Sequence, residues 1–343
     1  RSQPSGSPPR TRSGGWTSTR CGRPPRPRSR VGDAGGRRQG AFGYSADVLG
    51  CSEPAFTLLR QLIAQRIGVY FGDDKRDLLA DKLSDLLAAR GMTSYLDYYY
   101  LLRYDADADH HWSELMDRLS VPETYFWRQP DQILALAQVI APRHFARRGA
   151  LPLRIWSAAC CTGEEPVSIA IALAEAGLLH RRPIEIVASD GSAAMVERAR
   201  QGLYGERSFR ALPAELRERY FRGEGAGWRV NPRLLGPIRW TTANLVDPQA
   251  VRPLAAVDAI FCRNVLIYFS DETISHVARL FAEGLRDEGH LFLGASESLT
   301  RLATDFELAE VGGAFVYVRG AAARAPRARA AANGRPAQHQ QSE

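Results

Sequence analysis

The chain is poor in cysteine and has no long apolar run, and each shortage excludes a class of protein. Its five cysteines among 343 residues are odd in number and include no C-x-x-C spacing. A disulfide framework or a zinc site is therefore not expected, and a reducing cytosol is the natural compartment. No apolar stretch approaches the roughly 20 residues that a membrane-spanning helix needs, and no signal-peptide hydrophobic region follows the Arg-rich start. We expect a cytoplasmic protein without membrane insertion or bound metal.

Several catalytic and phosphate-binding motifs are also missing from the sequence. There is no P-loop, no G-x-S-x-G nucleophile turn and no H-E-x-x-H zinc motif, which argues against P-loop NTPases, α/β-hydrolases and zinc proteases. The turn after the first buried strand does not carry G-x-G-x-x-G. An NAD-linked dehydrogenase is therefore disfavoured.

Positive charge is concentrated at the two ends of the chain. The net charge is +7, but residues 1–40 hold ten Arg against one Asp, and residues 319–343 hold five Arg against one Glu. The part between them is mildly acidic, which argues against a nucleic-acid partner for the folded body. Both ends have almost no large apolar residues, so we predict disordered extensions at 1–46 and 320–343. A mis-assigned start, or an Arg-rich arm for nucleic acid or membrane surfaces, are the alternatives for the first segment.

The rest of the sequence predicts two folded parts. Residues 47–120 have apolar spacings of three and four without strand alternation, as from Phe56 to Ile67 and, in a second segment, from Leu78 to Leu87. With a third short segment from Tyr95 to Leu102, this pattern indicates an N-terminal all-α domain of three helices. A segment at 121–150, helical over 131–147, leads into 151–319, where apolar strands alternate with helices. This alternation predicts a doubly wound α/β sheet that ends in an antiparallel strand after Gly312-Gly313. The alternation of strands and helices is interrupted at 205–243, which we interpret as a small β-subdomain insert.

The stretch IWSAACCTGEEPVSIA at 155–170 is the most informative in the chain. A strand enters a turn of small residues, and a helix then opens with Glu164 and Glu165. Helix N-termini usually receive phosphate, but two carboxylates repel it. A phosphate-free cationic nucleoside such as S-adenosylmethionine fits this turn better. We expect Glu165 to touch the cofactor near its amino-acid end and Glu164 to favour the helix dipole.

Polar residues follow the carboxyl ends of the predicted strands, where ligands of open α/β sheets bind. The Asp190 carboxylate can accept hydrogen bonds from both hydroxyls of a ribose. The alternative is that Asp190 caps the next helix, a role for which Ser192 is also available. Asn244 can pair with an adenine edge while Leu245 covers its face, or it can form an Asx turn.

The segment IFCRNVLIYFS at 260–270 places Arg263 and Asn264 at the exit of a buried strand, where a polar pair is costly unless it faces a ligand. Tyr268 follows at a spacing that allows its hydroxyl to reach the same pocket; the alternative is a partly buried aromatic with a solvated hydroxyl. In VPETYFWR (121–128), Thr124 and Arg128 surround three aromatics, which we expect to roof a cleft between the two parts.

Taken together, these segments resemble the CheR-type chemotaxis receptor methyltransferases over roughly residues 50–318. The resemblance rests on IWSAACCTGEEPVSIA, ASD, NL and IFCRNVLIYFS in that order, on VPETYFWR against N-x-T-x-F-F-R, and on GASESL (294–299) against G-H-S-E. It implies an all-α domain before a Rossmann-like class I S-adenosylmethionine methyltransferase sheet. It also implies a protein-glutamate O-methyltransferase that acts, as a monomer, on the cytoplasmic domains of methyl-accepting chemotaxis proteins.

Carried over residue by residue, the resemblance implies a cofactor site and a methyl-transfer site. The cofactor residues would be Thr124, Arg128, Glu165, Asp190, Asn244, Leu245, Arg263 and Asn264, and the residues nearest the transferred methyl would be Arg128 and Tyr268. The insert would dock on receptors.

The sequence departs from the family pattern at three places and in one loop. Pro122 stands where many members have a cofactor-contacting Asn, Ala295 replaces the His of G-H-S-E, and Gly191-Ser192 replaces an apolar-plus-acid pair. The short GEGAG loop implies that no receptor C-terminal pentapeptide is needed. Two alternatives stay open: a methyltransferase of the same fold for another chemosensory regulator, or a cofactor-binding signalling module that has lost most catalysis.

Overall fold

The structure is a computed structural model that describes residues 50–302 and 304–320. The predicted disordered segments at 1–46 and 320–343 lie outside these residues, apart from Gly320. No helix in the described ranges is long and apolar enough to cross a membrane. The chain first forms helices α1 (Glu53–Ile67), α2 (Arg76–Ala89), α3 (Tyr95–Tyr104) and α4 (Ala108–Leu119), with a 3₁₀ turn at Asp73–Lys75.

Local sequence signals set the first helix and its packing. The Ser52 hydroxyl accepts from the Ala55 N–H at 3.4 Å, and Gly68 ends α1 with φ +91°. The apolar residues predicted to share a face, such as Phe56 and Ile63, are fully buried with residues of α2, α3 and α4. Two details differ from the prediction. Leu78 is 47% exposed because it lies on the outer side of α2, and α4 is a fourth helix that the sequence pattern did not separate.

The second part begins with one long helical segment and continues as alternating strands and helices. The segment runs through α5 (Pro130–Ala135), a π-helical turn (Leu136–Ile140) and α6 (Ala141–Arg148). The elements that follow are β1 (Leu153–Ala158), α7 (Glu164–Glu175), β2 (Ile184–Asp190), α8 (Ala193–Gln201), β3 (Leu203–Tyr204), a 3₁₀ turn (Glu206–Phe209), α9 (Ala214–Tyr220), β4 (Phe221–Glu224), β5 (Gly227–Val230), α10 (Pro232–Leu235), β6 (Ile238–Thr242), α11 (Pro248–Ala255), β7 (Ala259–Cys262), a 3₁₀ turn (Leu266–Tyr268), α12 (Asp271–Gly284), β8 (His290–Leu293), β9 (Phe306–Val311) and β10 (Ala314–Arg319).

The seven-stranded sheet has the order β6-β2-β1-β7-β8-β10-β9. The strands from β6 to β8 are parallel, and β10 is antiparallel to both of its neighbours. Ile155 of β1 is paired with Ile186 on one side and Ala259 on the other. The chain therefore winds outward to β6 and then crosses back over β1 to β7. This reversal creates a switch point at the carboxyl ends of β1 and β7, and the predicted doubly wound sheet is confirmed.

The small β-subdomain is present, but its predicted range included a strand of the main sheet. The three-stranded sheet has the order β3-β5-β4 and spans 203–230. The strand predicted near 237–242 is β6, which pairs in parallel with β2 from Ile186↔Ile238 to Asp190↔Thr242. β6 is an edge strand in which only Ile238 is buried, and its length resembles that of β4 and β5, so the sequence pattern alone did not distinguish them.

Both faces of the main sheet are covered. One apolar cluster contains the 130–148 helical segment, α7 and the aromatic residues of the insert, and a second contains α11 and α12. The helical domain lies against the carboxyl edge of the sheet. Gly68 marks this contact, because a Cβ there would lie 2.7 Å from Val246 and 3.1 Å from Phe269.

Candidate functional site

The structure brings all nine predicted site residues to one cleft at the switch point of the sheet. The helical domain forms one wall of the cleft through Ile67, Val69, Met116 and Leu119. The predicted residues that line it are Thr124, Arg128, Glu165, Asp190, Asn244, Leu245, Arg263, Asn264 and Tyr268. Their separate roles stay predictions, but their grouping follows from the parallel strands that end at this edge.

The floor of the cleft is the turn between β1 and α7. Ala159, Cys161 and Gly163 all have positive φ, which makes the turn tight. A Cβ at Gly163 would lie 2.9 Å from both Ala199 and Trp240, so only glycine fits. Burial raises the pKa of the Cys160 thiol well above its usual value and that of Cys161 to about 12. Both thiols are protonated at neutral pH, so neither is an activated nucleophile.

The two glutamates that open α7 have different environments. Glu165 lines the cleft, and its carboxylate accepts from Ser157 Oγ at 2.7 Å and from Arg263 Nε at 2.6 Å. Glu164 is 3% exposed and faces the insert, where it accepts from the hydroxyls of Thr162 at 2.7 Å and Ser208 at 2.9 Å. Burial raises the pKa of Glu164. Glu164 therefore does more than the predicted dipole contact, because it also joins α7 to the insert.

Asp190 ends β2 at the cleft, as predicted. Backbone N–H groups hold both of its carboxylate oxygens: Cys161 N donates to Oδ2 at 2.8 Å, and Ser192 N donates to Oδ1 at 2.9 Å. The cap of α8 is formed instead by Ser192, whose hydroxyl accepts from Met195 N at 3.1 Å. Burial raises the pKa of Asp190, and the two N–H donors partly offset that effect. Each oxygen keeps a lone pair for a ligand hydroxyl.

Asn244 uses both ends of its amide within the protein. Its Oδ1 accepts from Val246 N at 3.2 Å, and its Nδ2 donates to the Arg66 carbonyl at 2.6 Å. The geometry is that of the Asx-turn alternative, and it attaches the β6–α11 loop to the end of α1. The predicted adenine contact by this side chain would require these bonds to be exchanged. Leu245 is 5% exposed and contributes an apolar wall.

Arg263 connects the cleft to the linker rather than pointing freely into it. Its side chain is 2% exposed; Nε bonds to Glu165, while Nη1 donates to the carbonyl of Arg128 at 2.8 Å. Asn264 follows with φ +61°. A Cβ at Gly294 would lie 2.6 Å from the Asn264 amide nitrogen, so glycine gives this side chain its space.

Glu297, for which the sequence analysis assigned no role, stabilises this corner. Its carboxylate accepts from the backbone N–H groups of Asn264 at 2.7 Å, Leu266 at 2.8 Å and Gly294 at 2.6 Å. It belongs to GASESL, which follows the buried strand β8. The strand-end argument used for Asp190 would have identified it.

The three linker aromatics do not all roof the cleft, which corrects the prediction. Tyr125 lines the cleft, but Phe126 is fully buried against Tyr204, Phe209 and Phe221, with ring centroids 4.7 to 5.1 Å apart. Trp127 packs against the same apolar cluster. Successive residues of an irregular segment point in different directions, so adjacency in sequence did not predict a shared surface.

The linker also positions Arg128 at the cleft. Nη1 of Arg128 donates to the Glu123 carbonyl at 2.8 Å, and its guanidinium lies 5.4 Å from the Tyr125 ring. Tyr268 lies on the opposite segment and is 37% exposed. Its carbonyl accepts from Tyr70 N at 2.8 Å, next to a Val69–Phe269 bridge between the helical domain and the sheet domain.

The carboxylates of the cleft fit S-adenosylmethionine better than a phosphate-bearing nucleotide. Glu165 and Asp190 complement a sulfonium and an ammonium group, Asp190 can accept from ribose hydroxyls, and Val69 and Leu245 offer apolar surface. Pyrophosphate at the start of α7 would meet the carboxylate of Glu165. In the described ranges, no cluster of His, Cys, Asp and Glu could hold a metal ion.

Comparison with known proteins agrees with this geometry. Residues 122–314 match the CheR methyltransferase SAM-binding domain, and residues 54–120 match the CheR methyltransferase all-alpha domain. The chain belongs to the CheR methyltransferase family. It is an S-adenosylmethionine-dependent methyltransferase of the class I fold, with an all-α domain before the sheet.

Named relatives cover most of the chain. The Vibrio cholerae "Chemotaxis protein methyltransferase 2" is 33% identical over 74% of this chain and 88% of its own length. The Salmonella typhimurium "Chemotaxis protein methyltransferase" is 35% identical over 76% and 89%. The "Probable biofilm formation methyltransferase WspC" of Pseudomonas putida is 32% identical over 79% of this chain and 63% of that protein.

Proposed function

We propose that this protein is a protein-glutamate O-methyltransferase that methylates the cytoplasmic domains of chemotaxis receptors. The relatives named chemotaxis protein methyltransferases support a role in chemotaxis. The observation that carries the glutamate assignment is the composition of the cleft: Arg128 and Tyr268 line it beside Glu165 and Asp190, while its two thiols are held protonated. A cytoplasmic location and a monomeric state remain predictions.

The chemistry of a carboxylate acceptor suits such a site. A glutamate side chain has an ordinary pKa of about 4.3, so it is an anionic nucleophile at neutral pH and needs no general base. When bound, S-adenosylmethionine supplies a methyl group on a sulfonium. The carboxylate oxygen forms the new bond to the methyl carbon as the bond to sulfur breaks, and S-adenosylhomocysteine leaves. What the residues of the chain must supply is alignment and a water-poor cleft.

Five polar residues of the cleft have a role in this proposal. Asp190 and Glu165 hold the nucleoside and amino-acid parts of the cofactor, and Arg263 keeps Glu165 in place. Arg128 binds a carboxylate, either that of the substrate or that of the cofactor, and Tyr268 orients the nucleophile by a hydrogen bond. The backbone carbonyl of Arg128 accepts a hydrogen bond from Arg263, which also bonds to Glu165. The position of Arg128 therefore depends on the cofactor pocket.

The substrate-docking surface is proposed to be the β-subdomain at 203–230. Its strands β4 and β5 are joined through Gly225, which has φ +59°, so little chain is available between them for holding a peptide. We propose that receptors without a C-terminal pentapeptide are substrates. A methyltransferase for another chemosensory regulator is the second candidate, because relatives named for biofilm formation align over most of this chain.

Two assays in sequence test the proposal. Calorimetry with S-adenosylmethionine first measures binding, and methyl transfer from labelled cofactor to receptor-containing membranes then measures activity. We expect micromolar-range binding and base-labile label on receptors that lack a pentapeptide. Binding without transfer to any protein would favour the signalling module, whereas transfer to a non-receptor protein alone would favour the second candidate.

A further inference from the structure

The corner between β2 and α8 carries a contact between the two domains. Asp117 lies in the last turn of α4, and its carboxylate accepts a hydrogen bond from the Ser192 hydroxyl. Ser192 is fully buried. Since Asp117 belongs to the helical domain and Ser192 to the methyltransferase domain, this bond joins the two parts beside the cofactor cleft.

Ser192 also connects Asp117 to the carboxylate proposed to bind ribose. The Ser192 N–H donates to Asp190 Oδ1 at 2.9 Å, and its hydroxyl oxygen accepts from Met195 N to cap α8. Fixing the Ser192 side chain therefore fixes the N–H that orients Asp190. Asp117 therefore acts on Asp190 in two ways: through the hydrogen bond to Ser192, and through repulsion between the two carboxylates, which helps to raise the pKa of Asp190.

Gly191 allows α4 to approach this closely. A Cβ at residue 191 would lie 2.9 Å from both the sulfur and the terminal methyl of Met116, so a side chain there would push the helix away. The sequence has Gly191-Ser192 where the resemblance expects an apolar residue and an acid.

We propose that Asp117 is a positioning residue of the cofactor site. It holds Ser192, and through Ser192 it orients Asp190. This inference rests on Asp190 binding the cofactor, as proposed above, and is independent of which protein is methylated.

The first test compares cofactor affinity in the full chain. Asp117→Ala should raise the Kd for S-adenosylmethionine about tenfold, while turnover at saturating cofactor stays within about twofold. Asp97→Ala removes an exposed carboxylate of the same domain and should leave the Kd unchanged. Wild-type affinity in Asp117→Ala, together with weakened binding in Asp190→Asn, would overturn the inference. Unchanged binding in Asp190→Asn would overturn both it and the proposed role of Asp190.

The second test moves the carboxylate from residue 117 to residue 192. Ser192→Asp alone places two carboxylates against each other and should weaken binding more than Asp117→Ala does. Adding Asp117→Asn gives an amide donor that faces the new acid, so the double variant should recover most of the lost affinity. A double variant that keeps the wild-type melting temperature but recovers no affinity would contradict the positioning role.

Discussion

Individual residues of the cleft divide into those that are already bonded within the protein and those that are available to ligands. Arg263 donates to a backbone carbonyl of the linker, and Asn244 donates to a backbone carbonyl of α1. Glu297 accepts from backbone N–H groups. Arg128 and Tyr268 are less constrained. The first group keeps the site in shape, whereas the second is suited to contact the reacting groups.

Arg128→Ala should reduce methyl transfer strongly. Loss of one charge-assisted contact to a carboxylate costs about 1.5 to 3 kcal/mol, which corresponds to a rate about 10 to 100 times lower. Initial rates with labelled cofactor measure the effect, and Arg103→Ala, an exposed arginine of α3, serves as the control. Rates equal to wild type in Arg128→Ala would remove Arg128 from the mechanism.

Glu297→Gln should destabilise the corner that holds Asn264. One carboxylate accepts three backbone N–H groups there, and an amide has a single acceptor atom. Leaving a partly buried N–H without a partner costs about 1 to 3 kcal/mol. Urea unfolding should show that loss, while Glu310→Gln on the exposed face of β9 should change little. Equal stability of the two variants would argue against this anchoring role.

At the scale of elements, the insert is fixed to the sheet domain by the linker and by α7. Phe126 lies among insert aromatics, Ser208 bonds to Glu164, and Arg210 pairs with Glu123 of the linker. The surface proposed to dock on receptors is thus attached to the segment that carries Arg128. Packing of the insert is expected to affect the site.

Phe126→Ala should loosen the insert. Removal of a fully buried phenyl ring costs about 3 to 5 kcal/mol. Urea unfolding should report this loss, and limited proteolysis should cut within 203–230 sooner than in wild type. Phe315→Ala is the matched control, because Phe315 is 65% exposed on β10. A Phe126→Ala variant as stable as Phe315→Ala would contradict the packing described.

Glu164→Gln should change how stability depends on pH. Burial raises the pKa of Glu164 above its usual 4.5, so the folded state binds this proton more tightly than the unfolded chain. Stability is then lost as pH rises from the unfolded-state pKa through the folded-state pKa. The amide carries no charge but can bond both hydroxyls. Relative to wild type, the variant should gain stability as pH rises above about 4.5, and no gain should appear at lower pH. A stability difference between the variant and wild type that does not change with pH would contradict the raised pKa of Glu164.

At the scale of the whole molecule, two domains enclose one cofactor. Ile67, Val69, Met116 and Leu119 of the helical domain line the cleft, together with strand ends of the sheet. Cofactor binding should therefore stabilise both parts rather than the sheet domain alone.

S-adenosylmethionine should raise the melting temperature of the full chain, and NAD should not. At a concentration 100 times Kd, the free energy of unfolding rises by about 2.7 kcal/mol. Hydrogen exchange should slow in α4 as well as around β2. A shift with NAD instead would revive the dehydrogenase alternative, and protection confined to the sheet domain would argue against a shared cleft.

Much of this architecture could be predicted from the sequence because it depends on local patterns. Alternating strands and helices gave the sheet, and the rule that ligands bind at strand ends grouped Asp190, Arg263 and Asn264. The position of β6, the direction of Phe126 and the Asp117–Ser192 contact depend on distances between segments far apart in the chain. Short-range periodicity contains no information about those distances.

The most direct test of the central claim is identification of the methylated side chain. The protein is incubated with S-adenosylmethionine and a purified receptor cytoplasmic fragment, and the modified residues are mapped by peptide mass spectrometry. The account predicts base-labile methyl esters on glutamate side chains, absent when those residues are replaced by alanine. Methyl groups on lysine, arginine or nucleic acid, with none on glutamate, would contradict it.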